Sequence, residues 1–268
     1  MNVARLSVNQ ITLNRISTMQ FAESCAKNGI ESVALWRHKV QETGLSESAK
    51  IMREHGLSVS SLCRGGMFPA PTESKRMANL DDNRRAIDEA ALLGTDVLVL
   101  VCGGLSGQNL EDARTAVLGG IETLIPYAKA AGVRLAIEPL HPMFAADRSV
   151  VVSLKQANDM VESLSYEVGV IVDVYHVWWD PELYHEIARA SGHILGFHVN
   201  DWVVPITDTL TSRGMMGDGV IDIRRITGAV EKAGYKGAIE VEILNDRLWD
   251  TPASEVLSTI RNRFAAHV

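Results

Sequence analysis

Eight short β-branched runs punctuate this chain, and each is followed by a longer segment whose apolar residues fall at helical spacing. A run that is apolar on both of its alternating faces has to be covered on both sides, and in a β-then-α alternation the covering layers are helices. The sheet is then parallel. The runs predict strands over Leu6–Gln10, Ser32–Trp36, Ser58–Cys63, Asp96–Cys102, Arg134–Leu140, Gly169–Val174, Ile194–Asn200 and Ala238–Leu244. Between them lie helical segments such as TMQFAESCAKNG, DDNRRAIDEAALLG, LEDARTAVLGGIETLIPYAKAAG and DIRRITGAVEKAG. Each closes on the glycine that a left-handed helix cap requires. A phrase of helix, glycine and strand recurs as AKNGIESVAL, AKAAGVRLAI and EKAGYKGAIEV, with no Pro/Gly/Ser-rich linker between units. An open doubly wound sheet also alternates β and α, but its dinucleotide form needs Gly-x-Gly-x-x-Gly after an early strand, and that motif is absent. Eight units in 268 residues close most economically into one (β/α)8 barrel, so residues 1–268 are expected to form a single barrel domain.

Charge and cysteine usage narrow the partners. A formal net charge of -7 opposes a polyphosphate backbone or an anionic membrane surface, so a small molecule is expected and nucleic acid is not. Cys25, Cys63 and Cys102 stand far apart and suggest neither a zinc knuckle nor a disulfide framework. The longest apolar stretch, VLVLVC at 97–102, is far too short to span a bilayer, and MNVARLSVNQ carries no signal-like run. A cytoplasmic protein without a membrane segment is expected.

In a closed barrel the chemistry collects at the carboxyl ends of the strands. The fifth strand ends IEPLH, with Glu138 and His141. The sixth ends VDVYH, with Asp173 and His176. The seventh ends HVND, with His198 and Asp201, and the eighth carries Glu240 and Glu242 in AIEVEI. Each interrupts an apolar run, and a lone buried carboxylate costs several kcal/mol. One such residue is ordinarily a satisfied polar group. Four strand ends in succession call for a shared partner, which a divalent cation supplies to carboxylates and imidazole. Glu240 shares the strand face of Glu242 and is read as lying deeper, paired with an inward Arg134.

The ordered set IEPLH, VDVYH, HVND, RGMMGDGVID and GYKGAIEVEI resembles the sugar isomerase/epimerase superfamily of xylose isomerase-like TIM barrels, which includes ketose 3-epimerases, inosose isomerases and hydroxypyruvate isomerase. The likeness runs from first strand to last helix and is strongest in the C-terminal half. It implies that Glu138, Asp173, His198 and Glu242 ligate one divalent metal, with Mn²⁺ expected first and Mg²⁺, Co²⁺ or Zn²⁺ as alternatives. It also implies that Glu138 and Glu242 form the acid/base pair, that His176 contacts substrate, and that Arg213 is aimed at substrate or metal-ligand oxygens. Many relatives carry a small or hydroxylic residue where this chain has Glu240, so the barrel floor here is expected to differ.

Trp36 at the end of the second strand, with Arg37 beside it and Arg64 after the third, offers an aromatic face at the mouth suited to a sugar. Trp178, Trp179 and Trp202 serve as readily in packing or in contacts between copies of the chain, which leaves a homo-oligomer open. GMMGDG lacks the Gly-Lys-Ser/Thr ending of a phosphate loop, which slightly favours a substrate without phosphate. The expected activity is isomerisation or epimerisation of a keto sugar or keto-cyclitol through an enediolate. The same enediolate would serve a lyase or dehydratase that expels a β leaving group. A sugar-binding scaffold without catalysis is the third reading, and four filled ligand positions argue against it.

Overall fold

A computed structural model describes residues 3–164 and 168–268. Ten strands are present among the described residues: β1 (Leu6–Asn9), β2 (Ser32–Trp36), β3 (Ser58–Gly66), β4 (Val97–Val101), β5 (Arg134–Ile137), β6 (Val168–Asp173), β7 (Ile194–Val199), β8 (Asp201–Trp202), β9 (Arg213–Gly214) and β10 (Ile239–Val241). Eight of them close a parallel barrel in the order β1-β10-β7-β6-β5-β4-β3-β2, while β8 and β9 form a small antiparallel ribbon. The eight expected strands are all present, with ends shifted by up to three residues. β10 is cut to Ile239–Val241 and β5 to Arg134–Ile137, so Glu242 and Glu138 stand one position beyond their ladders. Both still donate a backbone N–H to the neighbouring strand, Glu138 to Leu100 and Glu242 to Val199.

Helix starts follow local capping chemistry. Ser17 and Gln20 form a capping box on the helix Thr18–Lys27, while Thr72 and Asn109 accept the N3 amide of the helices Glu73–Leu93 and Leu110–Ala131. Those two long helices end on Gly94 and Gly132, both in the left-handed conformation that glycine adopts without Cβ strain. The large apolar core lies between helices and barrel wall. A smaller one, Cys63, Val97, Val99, Ala136 and Ile171, fills one side of the barrel interior. The other side is polar, and the functional candidates collect there.

One expected contact is corrected. Arg134 does not reach Glu240: it starts β5 at the amino-terminal rim, half exposed, with its Nη2 2.6 Å from Asp96. Glu240 instead pairs in register with His198 and Ser7 inside the barrel.

Candidate metal centre

Parallel register sets the depth of each group. Asp173 on β6 is opposite His198 on β7, and His198 is opposite Glu240 on β10. With period-two alternation Glu242 points to the same side one layer nearer the mouth. Glu138, Asp173, His198 and Glu242 each offer a ligand atom, and these four atoms all lie within 4.8 Å of one another; all four residues are buried.

Hydrogen bonds fix the carboxylates from outside. Glu242 Oε1 accepts from Asn9 Nδ2 at 3.1 Å, and its Oε2 accepts from Arg213 Nη1 at 3.0 Å. Arg213 Nη1 also donates to Asp173 Oδ2 at 3.1 Å, and Asp173 Oδ1 accepts from Asn200 Nδ2 and the Tyr175 amide. The guanidinium lies 4.5 Å from the Tyr175 ring centroid, a cation–π contact that holds its plane. The remaining donors are bare: Glu138 Oε1 and both nitrogens of His198 are buried without a hydrogen-bond partner among the described residues. His198 Nδ1 sits 3.3 Å from Glu138 Oε1, and its Nε2 sits 3.1 Å from Glu240 Oε2, near enough for charge attraction but not aligned as hydrogen bonds.

Four buried carboxylates, Glu138, Asp173, Glu240 and Glu242, thus face one buried guanidinium and one imidazole. Even with His198 protonated, two negative charges are unmatched. Burial, aided by Glu138 and Asp173 and opposed by Arg213 and His198, pushes the Glu242 carboxyl up to about 7. Burial works the other way on His198, yet the charge of Glu240, with Glu138 and Glu242, holds its imidazolium well above the ordinary range. Burial pushes the Asp173 carboxyl up, yet Arg213, His176, His198 and the Tyr175 amide together hold it below the usual carboxylate range. The donor set therefore fits a divalent cation in charge deficit, in its three oxygens and one nitrogen, and in its orphaned Glu138 and His198 atoms.

His176 is a different kind of group. Burial pushes its pKa down to about 3, so the ring is neutral. Its Nδ1 accepts the His141 amide at 3.1 Å, and its Nε2 faces the cavity 3.3 Å from Arg213 Nη2. Trp36 lines the same cavity, its indole N–H donated to Asn9 Oδ1 at 2.7 Å. The cavity, about 160 Å³, is walled by Ile11, Trp36, Phe144, His176 and Leu210, with Glu138, Glu242 and Arg213 at its base. That volume suits a molecule smaller than those held by pockets of about 300–1,000 Å³.

Two strand-end candidates fall outside the cluster. Asp201 builds a loop, since its Oδ2 accepts the Gly217 and Gly219 amides at 2.9 Å and its Oδ1 that of Ile221 at 3.1 Å. GMMGDG is therefore wrapped around a carboxylate, and a Cβ at Gly219 would run into the Trp202 backbone. His141 packs its ring against Trp179 and Trp202. Two residues escaped sequence reasoning. Asn9 joins Trp36 to Glu242, and its only signal was an amide closing the run LSVN. Arg148, in the loop after β5, lines the cavity with no sequence signal of its own.

A parallel eight-stranded barrel with a buried carboxylate–imidazole cluster at its carboxyl-end mouth defines a class of barrels whose mouth could hold a metal ion. Within that class, the chain belongs to the xylose isomerase-like TIM barrel family, whose sequence pattern matches residues 22–263. It is 51% identical to protein SMc04130 from Sinorhizobium meliloti 1021 over 99% of both chains, with a TM-score of 0.97. It is 26% identical to L-ribulose-5-phosphate 3-epimerase UlaE of Salmonella paratyphi A over 209 residues, 76% of this chain and 70% of that one. The IOLI protein with a binding zinc atom shares its fold at 20% identity, a TM-score of 0.86 and 98% coverage of both chains. No helix among the described residues is long and apolar enough to cross a membrane.

Proposed function

We propose that this protein is a divalent-metal-dependent sugar epimerase or isomerase, acting on a keto sugar or keto-cyclitol with Glu138 and Glu242 as its acid/base pair. The observation that carries this reading is the convergence of Glu138, Asp173, His198 and Glu242 ligand atoms within 4.8 Å, two of the groups having buried atoms with no hydrogen-bond partner. These four would hold the cation, with Mn²⁺ expected first; the zinc bound by the IOLI protein keeps Zn²⁺ a candidate alongside Mg²⁺ and Co²⁺. When bound, a divalent cation supplies Lewis-acid polarisation of a substrate carbonyl, which makes the neighbouring C–H acidic enough for a carboxylate to deprotonate.

The protein's own groups divide the rest of the work. β5 and β10 are separated by β6 and β7 on one side of the closed barrel and by four strands on the other, so Glu138 and Glu242 approach the cavity from nearly opposed walls. One takes a proton from one face of the substrate and the other returns a proton to the opposite face or to the adjacent carbon. Glu242, with a carboxyl near 7, is poised to exchange a proton at neutral pH, and Asn9 and Arg213 hold its two oxygens in place. Neutral His176 and the guanidinium of Arg213 bind substrate oxygens, while Trp36 offers an aromatic wall to the sugar's C–H face. The epimerase activity in the name of the UlaE relative supports this chemistry over β-elimination.

The test is solvent deuterium incorporation by the Mn²⁺-loaded protein across keto sugars and inososes. Label at the carbon next to the carbonyl, with inverted product, supports epimerisation; label on the neighbouring carbon supports isomerisation. Loss of a leaving group without return of label moves the protein to the lyases, and no label on any compound removes the proton-transfer reading.

A further inference from the structure

The wall of the cavity on the β4 side carries two arginines with no carboxylate to answer them. Arg64 and Arg148 line the same cavity as Glu138, Glu242 and Trp36. Each is half-buried, and neither forms an ion pair or a side-chain hydrogen bond among the described residues. Arg213, the third cavity arginine, is paired through Nη1 with Asp173 and Glu242, which sets Arg64 and Arg148 apart from it.

Local backbone aims both side chains. β3 pairs Cys63 with Val99 and Gly65 with Leu100, so Arg64 is the extra residue of a bulge, a device that re-aims a side chain beside a site. Gly65 and Gly66 let the strand hug β4, because a Cβ on Gly65 would crowd Asn83 and Leu100 and one on Gly66 would meet the Val101 backbone. Asn83 then clamps Gly66 through both its N–H and its C=O, at 2.6 and 2.8 Å. Across β4, the loop bearing Arg148 is tied down by Gly103, whose N–H donates to the Arg148 carbonyl, and by a bridge to Ser149. The Arg148 guanidinium rests 5.6 Å from the Phe144 ring centroid. β3, β4 and β5 are adjacent, so the two guanidiniums come from one sector of the mouth, across the closed barrel from β7, β10 and β1.

We infer that Arg64 and Arg148 form an anion subsite, and that the substrate carries a carboxylate or phosphate group placed at the β4 side of the mouth while its carbonyl end faces Glu138 and Glu242. Two half-buried cations that line one cavity without counter-ions among the described residues, in a protein of net charge -7, are complementary to a ligand anion. This reading rests on the proton-transfer site proposed above, extends it to substrate class, and revises the sequence-based preference for an unphosphorylated sugar only if the anion is phosphate.

Calorimetric titration separates the two. Mn²⁺ titrated into the wild type and into the Arg64→Gln/Arg148→Gln variant reads the metal centre by itself, and absence of Mn²⁺ binding would defeat that centre without touching the arginines. Inorganic phosphate, glycolate and glycerol are then titrated into both proteins, with and without Mn²⁺. The inference expects one anion to bind the wild type with or without Mn²⁺, glycerol not to bind, and the double variant to lose about tenfold or more in affinity for that anion. Preference for phosphate identifies a phosphate ester and preference for glycolate a sugar acid. Binding of neither anion, glycerol binding as well as an anion, anion binding only with Mn²⁺ present, or anion binding unchanged in the double variant overturns it.

Discussion

Of the three carboxylates whose ligand atoms converge with His198, Glu138 is the one with a buried oxygen that no hydrogen bond satisfies among the described residues. Its neighbours are tied down by Asn9, Asn200 and Arg213, so Glu138 is the group whose charge and basicity are least spent on structure. Glu138→Gln keeps the shape and removes the base. The expected result is loss of deuterium exchange by about 10²-fold or more with a thermal midpoint within a few degrees of wild type. Retained exchange would take Glu138 out of the chemistry. This residue was legible because the glutamate of IEPLH interrupts an apolar run at a strand end. Glu240 was legible as an inward group but not as to partner. Period-two alternation gives the face a side chain points to, whereas which residue stands opposite depends on barrel register, and register placed His198 there and put Arg134 out at the rim. Asn9 could not be singled out, since an amide at a strand end is as common in caps as in sites, and only the closure of β1 on β10 brings it to Glu242.

At the scale of elements, the strand-helix rhythm was legible throughout because burial on both faces demands continuous apolar runs. The strand ends were not, since they depend on where the ladder stops and a side chain takes over. β3 illustrates the difference: the sequence ends its apolar run at Cys63, yet pairing continues to Gly66 through a bulge and two glycines. Gly66 has φ +105° and no space for a side chain against Val101. Gly66→Ala therefore combines backbone strain with a main-chain clash in a segment clamped by Asn83. It is expected to cost about 2–4 kcal/mol, read as a lower urea midpoint at unchanged slope. A cost below about 1 kcal/mol would mean that β3 and β4 part easily there, and the bulge would then be too soft to aim Arg64. A second element contact ties the helix after β2 to the helix Glu73–Leu93: Arg37 sits 2.6 Å from Glu89 and 2.8 Å from Asp82. The Arg37 hydrogen bond, with its charge, holds Asp82 below its ordinary value despite partial burial. A depressed carboxyl contributes stability above its unfolded value and loses it as pH falls through the folded one. The Arg37→Met penalty should therefore be present at neutral pH and shrink under acid. Because Asp82 is nearly half exposed, about 1–2 kcal/mol is expected at pH 7.

For the whole molecule, the centre is a region where folding buries more negative charge than the protein neutralises, and that imbalance couples metal, protons and stability. Glu242 has its carboxyl raised from 4.5 to about 7 in the fold, and His198 is also raised. A raised group favours the folded state below its unfolded value and loses that contribution as pH climbs through the folded one. Without a cation, these two groups therefore make the chain less stable between about pH 5 and 8. A cation needs both groups deprotonated, so it binds by displacing those protons, and its affinity rises over the same interval. At about 100-fold excess over its Kd a ligand of the folded state adds about 2.7 kcal/mol, or about 5–10 °C for a chain of this length. Mn²⁺ is thus expected to raise the thermal midpoint strongly near pH 8 and by little near pH 5.5, with EDTA reversing the gain, and calorimetry in buffers of different ionisation enthalpy should register proton release on binding. A shift of equal size at both pH values would mean that the cation binds away from Glu242 and His198, because a site built on those two groups cannot be indifferent to the protons they hold.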